Sequence, residues 1–170
     1  MKIKLMLNGR AGAGKDTFAD YLVEKYNFKK ISFAFPIYEI AQKYFSMEQK
    51  DRWLLQQIGQ KMREIRSSVW VDYAFKEANK YDKVVISDLR QFNEGRRGLE
   101  EGYILIRINT DLDKRIERLY KRDGIYPSLD LLENESETGA DIFDYIEINN
   151  NGTKEELYTQ IDELIKKLFD

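Results

Sequence analysis

The chain has 170 residues, 42% of them apolar, a net charge of −2, and neither cysteine nor histidine. That length and apolar content suit one globular domain with a sizeable core. The two absences exclude disulfides, thiolate nucleophiles, zinc-thiolate sites and the commonest general base.

Charge is distributed unevenly. Up to Arg122 there are 25 basic residues against 17 acidic ones, all eleven arginines included; from Asp123 onward 3 lysines face 13 acids. A nucleic-acid binder shows a basic stripe on a basic domain, whereas scattered arginines on an acidic chain suit small anionic ligands. No apolar run approaches a membrane span, and Met1-Lys2-Ile3 leads straight into a strand without a signal-peptide core, so a cytoplasmic protein is expected.

Ile3 to Leu7 read as a buried strand, followed by Gly9-Arg10-Ala11-Gly12-Ala13-Gly14-Lys15-Asp16-Thr17 and then by Phe18, Ala19, Leu22, Val23 and Tyr26 at helical spacing. Glycines at these intervals let backbone N–H groups turn around phosphate oxygens, and the helix starting near Lys15 adds its positive dipole end. Gly9, Ala11, Gly12, Ala13, Gly14, Lys15, Asp16 and Thr17 are therefore the expected binding residues for a nucleoside triphosphate, with Lys15 reaching the β- and γ-phosphates. The position after the lysine normally carries a hydroxyl that ligates Mg²⁺. Here it is Asp16, which either holds the metal, orients the acceptor, or favours the helix N-terminus electrostatically.

Downstream, Lys30 to Phe33 predict a short strand, and Pro36 opens a helix carrying Ile37, Ile40, Ala41 and Tyr44. Met47 to Asn79 reads as helical, broken near Ser67-Ser68. Lys83 to Ser87 is an apolar strand ending at Asp88, Asn93 to Glu101 a short helix, and Tyr103 to Ile108 another strand. Leu112, Ile116 and Leu119 mark a helix ending near Gly124. A polar loop from Asp123 to Thr138 follows, then a strand over Tyr145 to Asn149 and a helix with Leu157, Ile161, Leu164, Ile165 and Leu168 on one face. Alternating strands and helices predict a three-layer α/β fold, a parallel sheet covered on both faces in a single domain over 1–170, with a helical acceptor-binding region over 34–80 and a lid region over 112–138.

Ligands of such sheets bind outside the carboxyl ends of the strands. Asp88 lies at one, placed like the aspartate that helps to hold Mg²⁺ in loop-type NTPases, with Arg90 aimed at the same cleft; alternatively Asp88 caps a turn and Arg90 pairs with Glu94. Arg115, Arg118 and Arg122 share one helix flank and either clamp phosphates or stay solvated or paired. Arg63 and Arg66 are candidates for an acceptor phosphate, which a guanidinium binds bidentately. Asn150 is a candidate base contact, Thr153 with Glu156 forms a capping box, and Trp53 and Trp70 read as core or wall residues.

Gly14-Lys15-Asp16-Thr17, Ser32-Phe33-Ala34-x-Pro36, Gln56-x-x-Gly59-x-x-x-Arg63, Trp70-Val71, Ile86-Ser87-Asp88-x-Arg90-x-x-Asn93-Glu94, Ser136-Glu137 and Asn151-Gly152-Thr153 occur in this order. In that combination the chain resembles phage-type deoxynucleoside monophosphate kinases over nearly its whole length. The resemblance implies a nucleoside-monophosphate-kinase fold, ATP as donor, Mg²⁺, and a deoxynucleoside monophosphate (dNMP) as small-molecule partner, with no nucleic acid and no membrane. It leaves room for a homodimer and, for a phage-encoded chain, implies the host cytoplasm. Lys15, Asp16, Arg63, Asp88 and Arg90 match the family's site positions. The resulting assignment is Lys15, Asp16, Arg90, Arg115 and Arg118 for catalysis, Asp16 and Asp88 for the metal, and Phe35, Arg63, Trp70, Asp88, Arg90 and Glu137 around the acceptor. Phe35 and Tyr38 stand where the family often has Asp and Lys, so the accepted base is left open.

Two other classes share the loop. A regulatory GTPase needs Asp-x-x-Gly, which occurs nowhere in this chain. A kinase of a non-nucleotide phosphate such as phosphomevalonate shares the Gly-Lys-Asp start, and a nucleotide-binding protein without turnover would need no acceptor site.

Overall fold

A computed structural model describes residues 2–133 and 139–169. Its centre is β1 (Ile3–Asn8), whose Ile3, Leu5, Met6 and Leu7 are all buried. A run of apolar residues without alternation is what a central parallel strand requires, since both of its faces are covered. Strands β2 (Lys29–Ile31), β3 (Lys83–Ile86), β4 (Ile104–Asn109) and β5 (Ile146–Asn149) complete a five-stranded sheet in the order β2-β3-β1-β4-β5. Every pairing is parallel, with Met6 beside Ile86 on one side and Leu105 on the other.

Helices cover both faces, as the alternation predicted. On one, α1 (Lys15–Tyr26) and the last helix, α8 (Lys154–Phe169), bury Phe18, Leu22, Leu157 and Ile161 against Leu5, Leu7 and Ile106. On the other, α4 (Val69–Ala78) and α5 (Phe92–Glu100) bring residues such as Val71 and Phe75 into one core with Met6, Ile86 and Leu105. A satellite of α2 (Phe35–Phe45) and α3 (Arg52–Ile65) closes around Ile37, Ala41, Ile58 and Trp70. The expected helical stretch from Met47 begins later, at Arg52, because Asp51 caps α3 by accepting from Leu54 N at 2.9 Å.

Past the sheet's centre, α6 (Leu112–Asp123) stops at Gly124, whose φ of 74° closes the helix in the left-handed region. The stretch expected to be loop contains a short helix, α7 (Leu129–Glu133), begun where Ser128 Oγ accepts from Leu131 N at 3.2 Å. The Thr153 and Glu156 capping box forms as expected: Glu156 N donates to Thr153 Oγ1 at 3.2 Å, and Thr153 N to Glu156 Oε2 at 2.7 Å. Among the described residues no helix is long and apolar enough to cross a membrane.

Candidate active site

The loop between β1 and α1 is held open from behind. Gly12 and Gly14 adopt φ of 78° and 108°; a Cβ on Gly12 would stand 2.8 Å from the Arg115 carbonyl, and one on Gly14 would overlap the Asn150 amide. The loop's carbonyls are tied backwards. Ala13 O accepts from Asn150 Nδ2 at 2.8 Å and Thr110 Oγ1 at 2.9 Å, Ala11 O from Arg115 Nη1 at 3.4 Å, and Gly12 O from Arg118 Nη1 at 3.5 Å. In a trans peptide the N–H points opposite to its carbonyl, so these ties turn the following amides toward the cleft. Lys15 Nζ donates to Gly9 O and, at 3.3 Å, to Arg10 O, lying along the loop's own mouth.

These contacts bear on three expectations. Asn150 is 6% exposed and its amide is used on Ala13, so it serves as a strut under the loop. Arg115, also buried, and Arg118 brace the loop; Arg118, which also lines the cleft, further donates from Nη2 to Asn150 O at 2.8 Å. Arg122 lines the cleft as well, beside Asp123, to which its Nε donates at 2.6 Å. At the cleft's edge, Asp16 accepts from Lys30 Nζ at 2.8 Å, and Asp20 does the same. Burial opposes the charge on Lys30, but the two carboxylates outweigh it and raise its pKa.

The opposite wall is assembled from separate elements. Asp88, just past β3, accepts from Ser32 Oγ at 2.8 Å, Phe33 N at 2.9 Å and Ala34 N at 3.0 Å. Those three donors occupy most of a carboxylate's lone pairs. Asp88 therefore pins the turn between β2 and α2 from a place in the lining of the cleft. Two residues on, Arg90 is exposed and lines the cleft, while its backbone N donates to Glu94 Oε2 at 2.8 Å; Gln91 N donates to the same oxygen at 2.9 Å. Glu94 is buried. Loss of hydration pushes its carboxyl up from 4.5 to about 7; the two N–H bonds pull down, Asp88 repels, and Arg63 on α3 partly offsets that repulsion.

Other acceptor-side candidates divide. Arg63 is half-buried, and its charge bears on Glu94. Phe35 is 57% exposed at the start of α2, its N–H donating to Ser32 Oγ at 3.2 Å. Trp70 is buried, with Nε1 donating to Gly59 O at 3.2 Å, so it ties α4 to α3 and is a core residue; the expectation of a substrate contact is corrected accordingly. Glu137 lies outside the described residues. An Asn-Lys-x-Asp string, the guanine signature of GTPases, does occur at Asn79 to Asp82, but it sits before β3, at the end of the sheet away from the loop.

Between the two walls runs an open cleft of ≈ 900 Å³, lined by Arg10, Lys15, Lys30, Lys50, Arg52, Arg90, Arg118, Lys121, Arg122 and Lys154 against only Asp16 and Asp88 as acids. So cationic a cleft suits a polyanion of small size. A smaller one of ≈ 410 Å³ flanks the loop's far side, where Arg107 bonds Asn8 and Asp141 at 3.0 Å each and covers the Tyr145 ring. Among the described residues no three carboxylates gather as a metal cage. Sequence reasoning gave Lys30 no place in the site, quoted Ser32 only within a motif, and read Glu94 as a side-chain partner of Arg90; the position of Glu94 three places after Gln91, as in a capping box, was the available signal for its bonds to the backbone.

No curated protein matches the chain. Solved structures share its fold over nearly full length. A shikimate kinase from Acinetobacter baumannii aligns with a TM-score of 0.62 at 19% identity, covering 98% of this chain and 94% of that one. A gluconokinase from Sinorhizobium meliloti 1021 aligns at 0.58 and 15%, covering 98% and 95%, and TT1252 from Thermus thermophilus at 0.65 and 15%, covering 98% of each. The fold of this chain is thus the one these solved structures share. The family model described as an AAA domain matches residues 5–139, and the chain belongs to that family.

Proposed function

We propose that this protein transfers the γ-phosphoryl group of ATP to the phosphate of a deoxynucleoside monophosphate, with Mg²⁺. One observation carries the reading: a single cationic cleft has the phosphate loop on one wall and the Asp88 to Arg90 arm on the other. The loop fits a triphosphate, since its carbonyls are tied back and a Cβ at Gly12 or Gly14 would fill its frame. Without a carboxylate cage among the described residues, the metal fits as one held largely by phosphate oxygens and water, with Asp16 and Thr17 beside it. Bound Mg²⁺ and ATP supply the phosphoryl group and neutralise its charge.

The chain's own residues do the rest. Lys15 exchanges the Gly9 and Arg10 carbonyls for phosphate oxygens and stabilises charge on the transferring group. Arg90 holds the acceptor phosphate through its planar fork, with Arg63 behind it. A chain without histidine can do this, because phosphoryl transfer depends on positioning and electrostatics more than on a strong base. In this reading the partner is a small molecule, not a nucleic acid or a membrane, and the protein acts in the cytoplasm.

The second reading is a kinase of a non-nucleotide acceptor such as phosphomevalonate; the shikimate kinase and gluconokinase that share the fold favour it. A coupled ADP-release assay across all NMPs and dNMPs, with phosphomevalonate, shikimate and gluconate, separates the two. Release that rises with at least one dNMP supports the proposal. Silence with every nucleotide, alongside turnover of one of the others, overturns it.

A further inference from the structure

Glu94 is a buried carboxyl, without contact to the phosphate loop, lodged in the arm that carries Arg90. Its Oε2 receives the N–H groups of both Arg90 and Gln91, at 2.8 and 2.9 Å, so the backbone on which Arg90 stands is fixed by this side chain. We propose that Glu94 positions Arg90 and takes up a proton when an anion binds at the acceptor phosphate site. The anion's identity as a dNMP phosphate rests on the function proposed above; the coupling itself needs only a dianion beside Arg90.

The argument is electrostatic. Two charged groups bear on Glu94 from other elements: Asp88 past the end of β3, which repels it, and Arg63 on α3, which attracts it. The remaining charges nearby are already matched. Arg97, one turn along α5, is held by Glu101 at 2.6 Å and feels Asp72 of α4, while Asp141 of the turn packed on α5 is paired with Arg107 at 3.0 Å. When a dianion arrives beside Arg90, that guanidinium is neutralised in part and a further negative charge joins Asp88. Both changes disfavour the charged carboxylate. Burial has already brought this carboxyl to about 7, so a modest further push protonates it in the neutral range. The proton comes from solvent and forms an O–H bond at Oε1; no bond of the chain breaks, and Oε2 keeps its two N–H donors.

Sulfate is the suitable probe, because its charge stays constant across the range whereas a phosphate monoester titrates near pH ~6 itself. In the full chain, the carboxyl carbon of Glu94 is followed by NMR from pH 5.5 to 8.5 without sulfate and at saturation. The expected result is a midpoint raised by about one unit, equivalent to sulfate binding about fivefold more weakly at pH 8 than at pH 6. Arg90→Ala removes the shift. In turnover, Glu94→Gln lowers the acceptor KM at pH 8 by about fivefold and flattens its pH profile, with the ATP KM outside the change. A midpoint that stays or falls with sulfate overturns the proposal, as does a shift that persists in Arg90→Ala. Should Glu94→Gln not fold, the wild-type titration decides alone. Failure of every dNMP in the ADP-release assay would sink the nucleotide reading and leave the sulfate result standing.

Discussion

The two walls of the cleft are built on different scales. On the donor wall, nine consecutive residues from Gly9 to Thr17 set the shape, and distant groups such as Asn150 and Arg118 only brace it. The acceptor wall depends on long-range contacts: Asp88 holds a turn 54 to 56 residues earlier in the chain, and the charge of Arg63 bears on Glu94 from another helix. Chemistry that needs backbone amides can be encoded in one segment. Chemistry that needs two carboxylates and two guanidiniums around a small anion requires the fold to bring them together.

The largest test of that contrast is Lys15→Met. If the donor wall supplies a preorganised charge, kcat falls by about 10²- to 10³-fold with the melting temperature unchanged. Equal turnover in the variant would break the assignment.

Glu94→Gln sharpens the other side through stability. The folded carboxyl titrates near 7 against an ordinary 4.5, so between these values only the folded state holds the proton. Rising pH therefore erodes stability across that window, and the loss is complete above about 7. Glutamine keeps the N–H acceptor without the buried charge. It should flatten the slope and stabilise the protein at pH 8 by as much as about 3 kcal/mol, read by urea unfolding at pH 5.5 and 8. Identical slopes in both proteins would return Glu94 to the ordinary carboxylates.

Asp88→Ala frees three donors of the β2–α2 turn at once. A loss of about 2 kcal/mol is expected, together with a raised acceptor KM and an unaltered Mg²⁺ titration. A shifted Mg²⁺ requirement would instead mark Asp88 as a metal ligand.

How much of this was legible in the sequence follows from the same contrast. The strands and the flanking helices were readable because buried parallel strands are continuous apolar runs and the helices keep their stripes. Helix α7 was not, since Ser128 starts it within a polar stretch that has no period. In the site, the phosphate loop announced itself by glycine spacing. Arg115, Arg118 and Asn150 were read as reaching for ligand because spacing tells which face a side chain leaves, not which carbonyl it meets. Trp70 was read both ways, and only the satellite core around Ile37 and Ile58 decides between them. Glu94 drew notice as a pairing partner for Arg90; that it is buried and binds Arg90 by the backbone depends on packing no local pattern contains.

The central claim, that donor and acceptor occupy opposite walls, is tested most directly by the KM values of Arg90→Ala with Mg²⁺, ATP and the best acceptor from the panel. Losing a charge-assisted contact to the acceptor phosphate should raise that KM by about 10- to 100-fold while the ATP KM stays within about twofold. A variant that weakens ATP and spares the acceptor would contradict the account.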